Sequence, residues 1–280
     1  MALASMSPSS RAEPGSRESV LGSARFYHLF DQAESVRWKI SDLPWERLDH
    51  SLVSDELLDV VTEIAMSELT TWSASRMFLE KFHDDVDFTQ WVSVWMYEET
   101  KHPYVLMRWL ELAGRSFDAD FVASGRATEP FIRSRVGTLV MNILSEIEAS
   151  SIYMRLSKAV REPVLKTITR LLSSDEARHS GSFYVYASKM IACSNRPRTE
   201  RIEALKVLYF WLTSLRDVQH PVAIVSRLVS GLSRESGELP GVDDRGLIDA
   251  RMRSVIGTLV GISLDSADDV MEQIRRLALG

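Results

Sequence analysis

Residues 95–102 read WMYEETKH, and residues 175–179 read DEARH. Each stretch contains Glu-x-x-His: Glu99 with His102, and Glu176 with His179. On a helix, residues three apart share a face, so the carboxylate and the imidazole of one pair can reach the same ion. One such pair arises easily by chance in a charged helix. Two pairs, both inside apolar stripes, do not. At about 100° per residue, Glu99 and His102 fall among Trp91, Trp95, Leu106 and Trp109, and Glu176 and His179 among Leu165, Ile168, Leu172, Phe183 and Met190. A carboxylate aimed into a core is costly unless it meets a cation or a dense hydrogen-bond network.

Working outward, apolar residues recur at spacings of three and four through most of the chain, while period-two alternation is scarce. The spacing predicts a leading helix over 21–39 and a second helix from Ser54 to Phe82, with Ser54 as cap and Asp55 and Glu56 in its first turn. A third follows the polar turn His83–Asp87 and runs to Ala113. A fourth starts at Thr128-Glu129-Pro130 and ends at Val160. The break at Glu162-Pro163 opens a fifth that ends at Cys193. Shorter helices are expected over 199–217, 221–234, 244–261 and 265–278. The fold class is all-α, with four long helices at its centre.

The remaining two long helices should each add a carboxylate. On the second, Glu68 lies between Ile64 and Trp72 on the apolar stripe, whereas Glu63 faces water. On the fourth, helical phase leaves Glu146 and Glu148 close. Spacing constrains the set further: thirty-one residues separate Glu68 from Glu99 and thirty separate Glu146 from Glu176, each interval centred on a turn. In an antiparallel helical hairpin, residues equidistant from the turn lie at the same height. Two such hairpins would bring four carboxylates and two histidines together, the ligand set of di-iron or di-manganese carboxylate bundles. Hard oxygen donors with imidazole suit iron or manganese.

Composition excludes several alternatives. The chain is 45% hydrophobic and 26% charged, a globular balance, and its net charge of -6 argues against nucleic acid. No apolar run approaches the roughly 18 residues of a membrane span. A lone cysteine, Cys193, forms no intramolecular disulfide and fits a reducing cytoplasm; it reads as a small buried side chain. Residues 1–20 are rich in Ser, Ala and Arg without the apolar stretch of a secretory signal, and read as a disordered tail ahead of one domain over 21–280.

At these residues the sequence resembles the soluble acyl-carrier-protein desaturases, within the ferritin-like di-iron carboxylate proteins. WMYEETKH is similar to that family's W-x-x-E-E-x-R-H, and DEARH to its D-E-x-R-H; the similarity covers roughly residues 55 to 195. The stretch from Glu146 to His179 resembles bacterial members without a gap, and that register selects Glu146 over Glu148. The resemblance implies a ferritin-like four-helix core with added N- and C-terminal helices. It implies two Fe2+ held by Glu68, Glu99, His102, Glu146, Glu176 and His179, with O2 as co-substrate. It further implies an acyl-carrier protein or small-molecule substrate, a ferredoxin-type electron donor, and a homodimer. Three departures stand out. Lys101 replaces the arginine before His102. Ala149 stands where plant members carry a threonine linked to oxygen handling. Pro103 follows His102 and predicts a kink or π-bulge, because it removes an amide and crowds the carbonyl of Glu99.

Around this set, Asp175 is the candidate outer partner of a ligand histidine, and Glu98 and Glu148 are either outer partners or solvated. Trp72, Trp91, Trp95, Trp109, Tyr97, Ala149 and Tyr186 are candidates to line a substrate channel, with plain core packing as the alternative. Arg196, Arg198 and Arg201 could meet an acidic carrier protein or simply begin a solvated helix. His28, His50, His83 and His220 lie off the constellation, at the surface or in loops. Desaturation, oxygenation (C-hydroxylation or N-oxygenation), iron storage or sensing, and a purely structural bundle are the competing functions. The helices after Cys193 disfavour a minimal storage subunit.

Overall fold

A computed structural model of the chain describes residues 25–127, 134–214 and 244–279, together with Val225 and Val229. The 1–20 tail, the Thr128-Glu129-Pro130 start, His220 and most of the 221–234 helix lie outside the described residues. Among those described, every regular element is helical. Helix α1 spans Arg25–Val36 and leads through three short 3-10 turns to α2, Asp55–Glu68. Then come α3 (Thr71–Lys81), α4 (Val86–Leu112), a short α5 (Ala119–Gly125), α6 (Arg135–Ala159) and α7 (Pro163–Cys193). Helices α8 (Pro197–Ser214), α9 (Asp244–Val260) and α10 (Ala267–Leu279) complete the chain.

Local chemistry sets the ends of these helices. Ser54, Asp85, Asp118 and Ser134 each accept an amide of the following turn with a side-chain oxygen. Glu162 is fully buried and caps α7 through the amides of Val164 and Leu165, while the Trp109 indole donates to it at 2.7 Å. This carboxylate ties the α6–α7 turn to α4.

One expectation about helix continuity fails. The stretch from Ser54 to Phe82 is two helices, interrupted at Leu69-Thr70. The Ser67 carbonyl accepts both the amide and the hydroxyl of Thr70, and so is taken before Thr71 can continue the ladder. Helix α4, in turn, passes through Pro103 without a π turn. The only main-chain bond that a proline must forfeit there is its own, and Pro103 itself is buried.

The α6–α7 hairpin and the α2–α4 pair form the central four-helix bundle, with α1 packed against α4, α8 and α9 against the α6–α7 side, and α10 on α8. The apolar interior falls into two layers. One contains Phe78, Phe88, Trp91, Trp95, Phe183 and Tyr186; the other contains Val61, Ile64, Leu106, Trp109, Ile168 and Leu172. On α4 the gap between layers holds Glu99 and His102, and on α7 it holds Glu176 and His179. No described helix is long and apolar enough to cross a membrane.

Candidate metal centre

Glu68 closes α2, Glu99 and His102 sit mid-way along α4, Glu146 lies on α6, and Glu176 and His179 lie on α7. Their side chains converge. Glu68, Glu99, His102 and Glu176 form one group, and Glu99, Glu146, Glu176 and His179 a second; within each, one donor atom per residue lies within 4.8 Å of all the others. Glu99 and Glu176 belong to both groups, and each turns one oxygen to either histidine. Glu99 Oε2 lies 3.5 Å from His102 Nδ1 and its Oε1 2.8 Å from His179 Nδ1. Glu176 Oε1 and Oε2 lie 3.2 Å from His102 Nδ1 and His179 Nδ1 respectively. The geometry is that of two cation positions sharing two carboxylates.

The donor set fits such ions on more than proximity. His102 Nδ1 is fully buried and lies 3.2–3.5 Å from oxygens of Glu68, Glu99 and Glu176, yet makes a hydrogen bond to none of them. Glu99 Oε1 is likewise buried without a hydrogen bond. Buried polar atoms that crowd together without bonding one another aim at a common point, and a cation there would satisfy them.

The outer faces of both imidazoles are anchored in matching fashion. His102 Nε2 faces Asp175 Oδ2 at 3.4 Å, the place expected for Asp175, and His179 Nε2 faces Glu98 Oε2 at 3.0 Å. The acidic residue before each ligand glutamate thus serves the histidine of the other motif. Arg178 joins the two carboxylates, lying 3.0 Å from Asp175 Oδ1 and 2.8 Å from Glu98 Oε2. The Trp38 indole donates to Asp175 at 2.8 Å, and Lys101 Nζ lies 4.1 Å over the Trp38 ring. Such anchoring fixes the tautomer and orientation of a ligating imidazole.

Electrostatics reports the same crowding. Burial and the Glu176 charge push Glu99 up to about 7, and burial with the Glu176 and Glu99 charges drives Glu146 well above its ordinary value. Burial opposes charge on His102 and His179, but the surrounding carboxylates hold both well above the ordinary imidazole value. Against its own burial, Glu176 is held well below the usual range by the His102 charge. Glu98, also buried, is held at about 2 by its bond to His179 and the charges of His179 and Arg178.

The remaining candidates divide between surface and core. Trp72 and Tyr97 are 52% and 56% exposed and stack on Arg126 and Arg37 at the surface. Tyr186 and Trp91 pack edge and face within the aromatic layer, and Trp109 is committed to Glu162. Trp95 sits in the same layer with its ring centre 6.4 Å from that of His179. Ala149 is half-buried against the aliphatic layer. Cys193 is exposed, not buried, because it ends α7 at the rim. Glu148 is neither outer partner nor solvated: it is buried and ion-paired with Arg245 of α9 at 2.8 Å. Arg196, Arg198 and Arg201 are exposed at the start of α8, as are His28, His50 and His83 elsewhere.

Sequence reasoning missed two hydroxyls that touch the cluster. Tyr153 donates to Glu68 Oε1, and Thr71 donates to Glu99 Oε2 at 3.2 Å. Tyr153 lies two helical turns after Glu146, so helical phase carried a signal for it. Thr71 becomes available only through the helix interruption, which the spacing did not reveal.

A helical bundle that buries two Glu-x-x-His pairs between apolar layers has ferritin-like architecture. The Rubrerythrin family model, from a ferritin-like di-iron family, matches residues 138–234. That stretch contains Glu146, Glu176 and His179; Glu68, Glu99 and His102 precede it. No curated protein matches the chain.

Proposed function

We propose that the chain is a di-iron, O2-dependent oxidoreductase acting on an unactivated C–H bond, of the acyl-carrier-protein desaturase type. The observation carrying this reading is His102 Nδ1, buried and unbonded among three carboxylates. Glu68, Glu99 and His102 would hold one iron with Glu176, and Glu146 and His179 the other with the shared glutamates. When bound, two ferrous ions and dioxygen supply the oxidising power that C–H cleavage demands.

The protein's own residues prepare that chemistry. Four carboxylates balance the charge of two divalent cations before oxygen arrives. The apolar layers on either side exclude bulk water, which strengthens electrostatics within the site. Asp175 and Glu98 orient the imidazoles, and Tyr153 Oη and Thr71 Oγ1 hold protons beside Glu68 and Glu99. Arg196, Arg198 and Arg201 offer an acidic carrier protein a basic surface, and a ferredoxin-type protein would supply electrons.

A second reading, oxygenation of a carbon or an amine, is favoured by Ala149, which brings no hydroxyl to the α6 side of the site. The test measures iron per chain in wild type and Glu176→Ala, then supplies reduced protein with O2 and acyl-carrier-protein thioesters. Two irons, lost in the variant, with a product lighter by two hydrogens support desaturation. A product carrying an oxygen atom from O2 supports oxygenation. An iron-free wild type overturns both.

A further inference from the structure

A hydroxyl on a helix has a default partner, the carbonyl three or four residues back. Thr62, Thr89, Thr100, Thr138, Thr167 and Thr169 all use it. Thr71 does not. It opens α3, and the Ser67 carbonyl four residues earlier already accepts both donors of Thr70. The interruption between α2 and α3 therefore releases the Thr71 hydroxyl to reach Glu99 Oε2 at 3.2 Å.

Both hydroxyls at the cluster act on the same side. Glu99 Oε2 is the oxygen turned to His102, whereas Oε1 is turned to His179. Glu68, whose Oε1 accepts from Tyr153, belongs to the His102 group alone. Among the described residues, no hydroxyl donates to Glu146 or to Glu99 Oε1. The Glu68 side chain is also 11% exposed, against 5% for Glu99 and 2% for Glu176. A donated proton occupies a lone pair and draws charge from the carboxylate, so fewer and poorer oxygens face a hard cation at that position.

We infer that the two metal positions are unequal: the one built on Glu68 and His102 binds its ion more weakly, fills second and is the exchangeable one. This rests on the dinuclear reading proposed above.

The test is a Co2+ titration of the metal-free protein, followed by visible absorption and calorimetry. Wild type should bind two ions in steps at least about tenfold apart. His102→Ala should remove the weaker step and His179→Ala the tighter one. Tyr153→Phe frees Glu68 Oε1 and should tighten the weaker step by about tenfold, the worth of a hydrogen bond to a charged group. Thr71→Val should act in the same direction and Thr71→Ser should restore wild-type behaviour; this pair carries the test if Tyr153→Phe does not fold. One step for two equal ions, histidine variants acting in reverse, or hydroxyl deletions that leave or weaken the second step would overturn the inequality alone. A wild type that binds no Co2+ would overturn the dinuclear reading with it.

Discussion

Arg178 sits between Asp175 and Glu98, two buried carboxylates that orient the site histidines, Asp175 with its other oxygen and Glu98 with the same one. Removing one partner of a buried ion pair leaves the other charge uncompensated, which costs about 3 kcal/mol or more. Arg178→Leu should therefore lower the stability of the metal-free protein by about that amount, read from urea denaturation midpoints. Arg178→Lys, which keeps the charge but cannot bridge two carboxylates with a planar fork, should lose less. The candidate ligands were legible as a group because a carboxylate inside an apolar stripe contradicts its surroundings. The residues that anchor them were legible only in part. Asp175 and Glu98 precede the ligand glutamates, but Trp38 reaches Asp175 from 137 residues away, and no local pattern announces that contact.

Among the helices, the interruption at Leu69-Thr70 does the most to shape the site, since it ends α2 at Glu68 and starts α3 at Thr71. Periodicity could not find it, because the apolar stripe of α2 continues into α3 with little loss of phase. What separates them is competition for one carbonyl, together with packing by α5. A Cβ added at Gly125 would lie 2.5 Å from Leu69 Cβ, so only glycine lets α5 approach the interruption this closely. Gly125→Ala should lift α5 and destabilise the fold by about 1–3 kcal/mol, with a lower melting temperature and a loss of metal at the adjoining Glu68. A second prediction concerns α1. Asp87 of α4 accepts the Arg25 and Phe26 amides at 3.0 and 2.7 Å and pairs with Lys189, capping α1 from outside. Despite some burial, the Lys189 bond holds its carboxyl below the ordinary value of 3.8. That contribution is present above pH 3.8 and lost as pH falls through the lowered value. Asp87→Ala should lower the hydrogen-exchange protection of the α1 amides, relative to their intrinsic rates, at neutral pH, and acid should lower that protection in wild type.

For the molecule as a whole, the buried cluster makes stability depend on pH in opposite senses with and without metal. His102, His179, Glu99 and Glu146 all have folded-state pKa values above their ordinary ones. A raised group stabilises fully below its unfolded value, 6.5 for the histidines and 4.5 for the glutamates, and that contribution is lost as pH rises through the folded value. Glu98 and Glu176 are depressed, so their contribution is present above 4.5 and lost as pH falls through their lowered values. The metal-free molecule should accordingly be most stable between those limits, on the acid side of neutrality, and weaken toward pH 8. Metal should reverse the trend, because ligating imidazoles and carboxylates must shed protons for an ion to bind. Binding should therefore release protons, detectable as a buffer-dependent heat. The gain in melting temperature on adding Mn2+ or Fe2+ should be larger at pH 8 than at pH 6, with saturation at a hundredfold excess over Kd worth about 2.7 kcal/mol. A gain independent of pH, with no proton release, would mean that the ions bind outside the His102–His179 cluster.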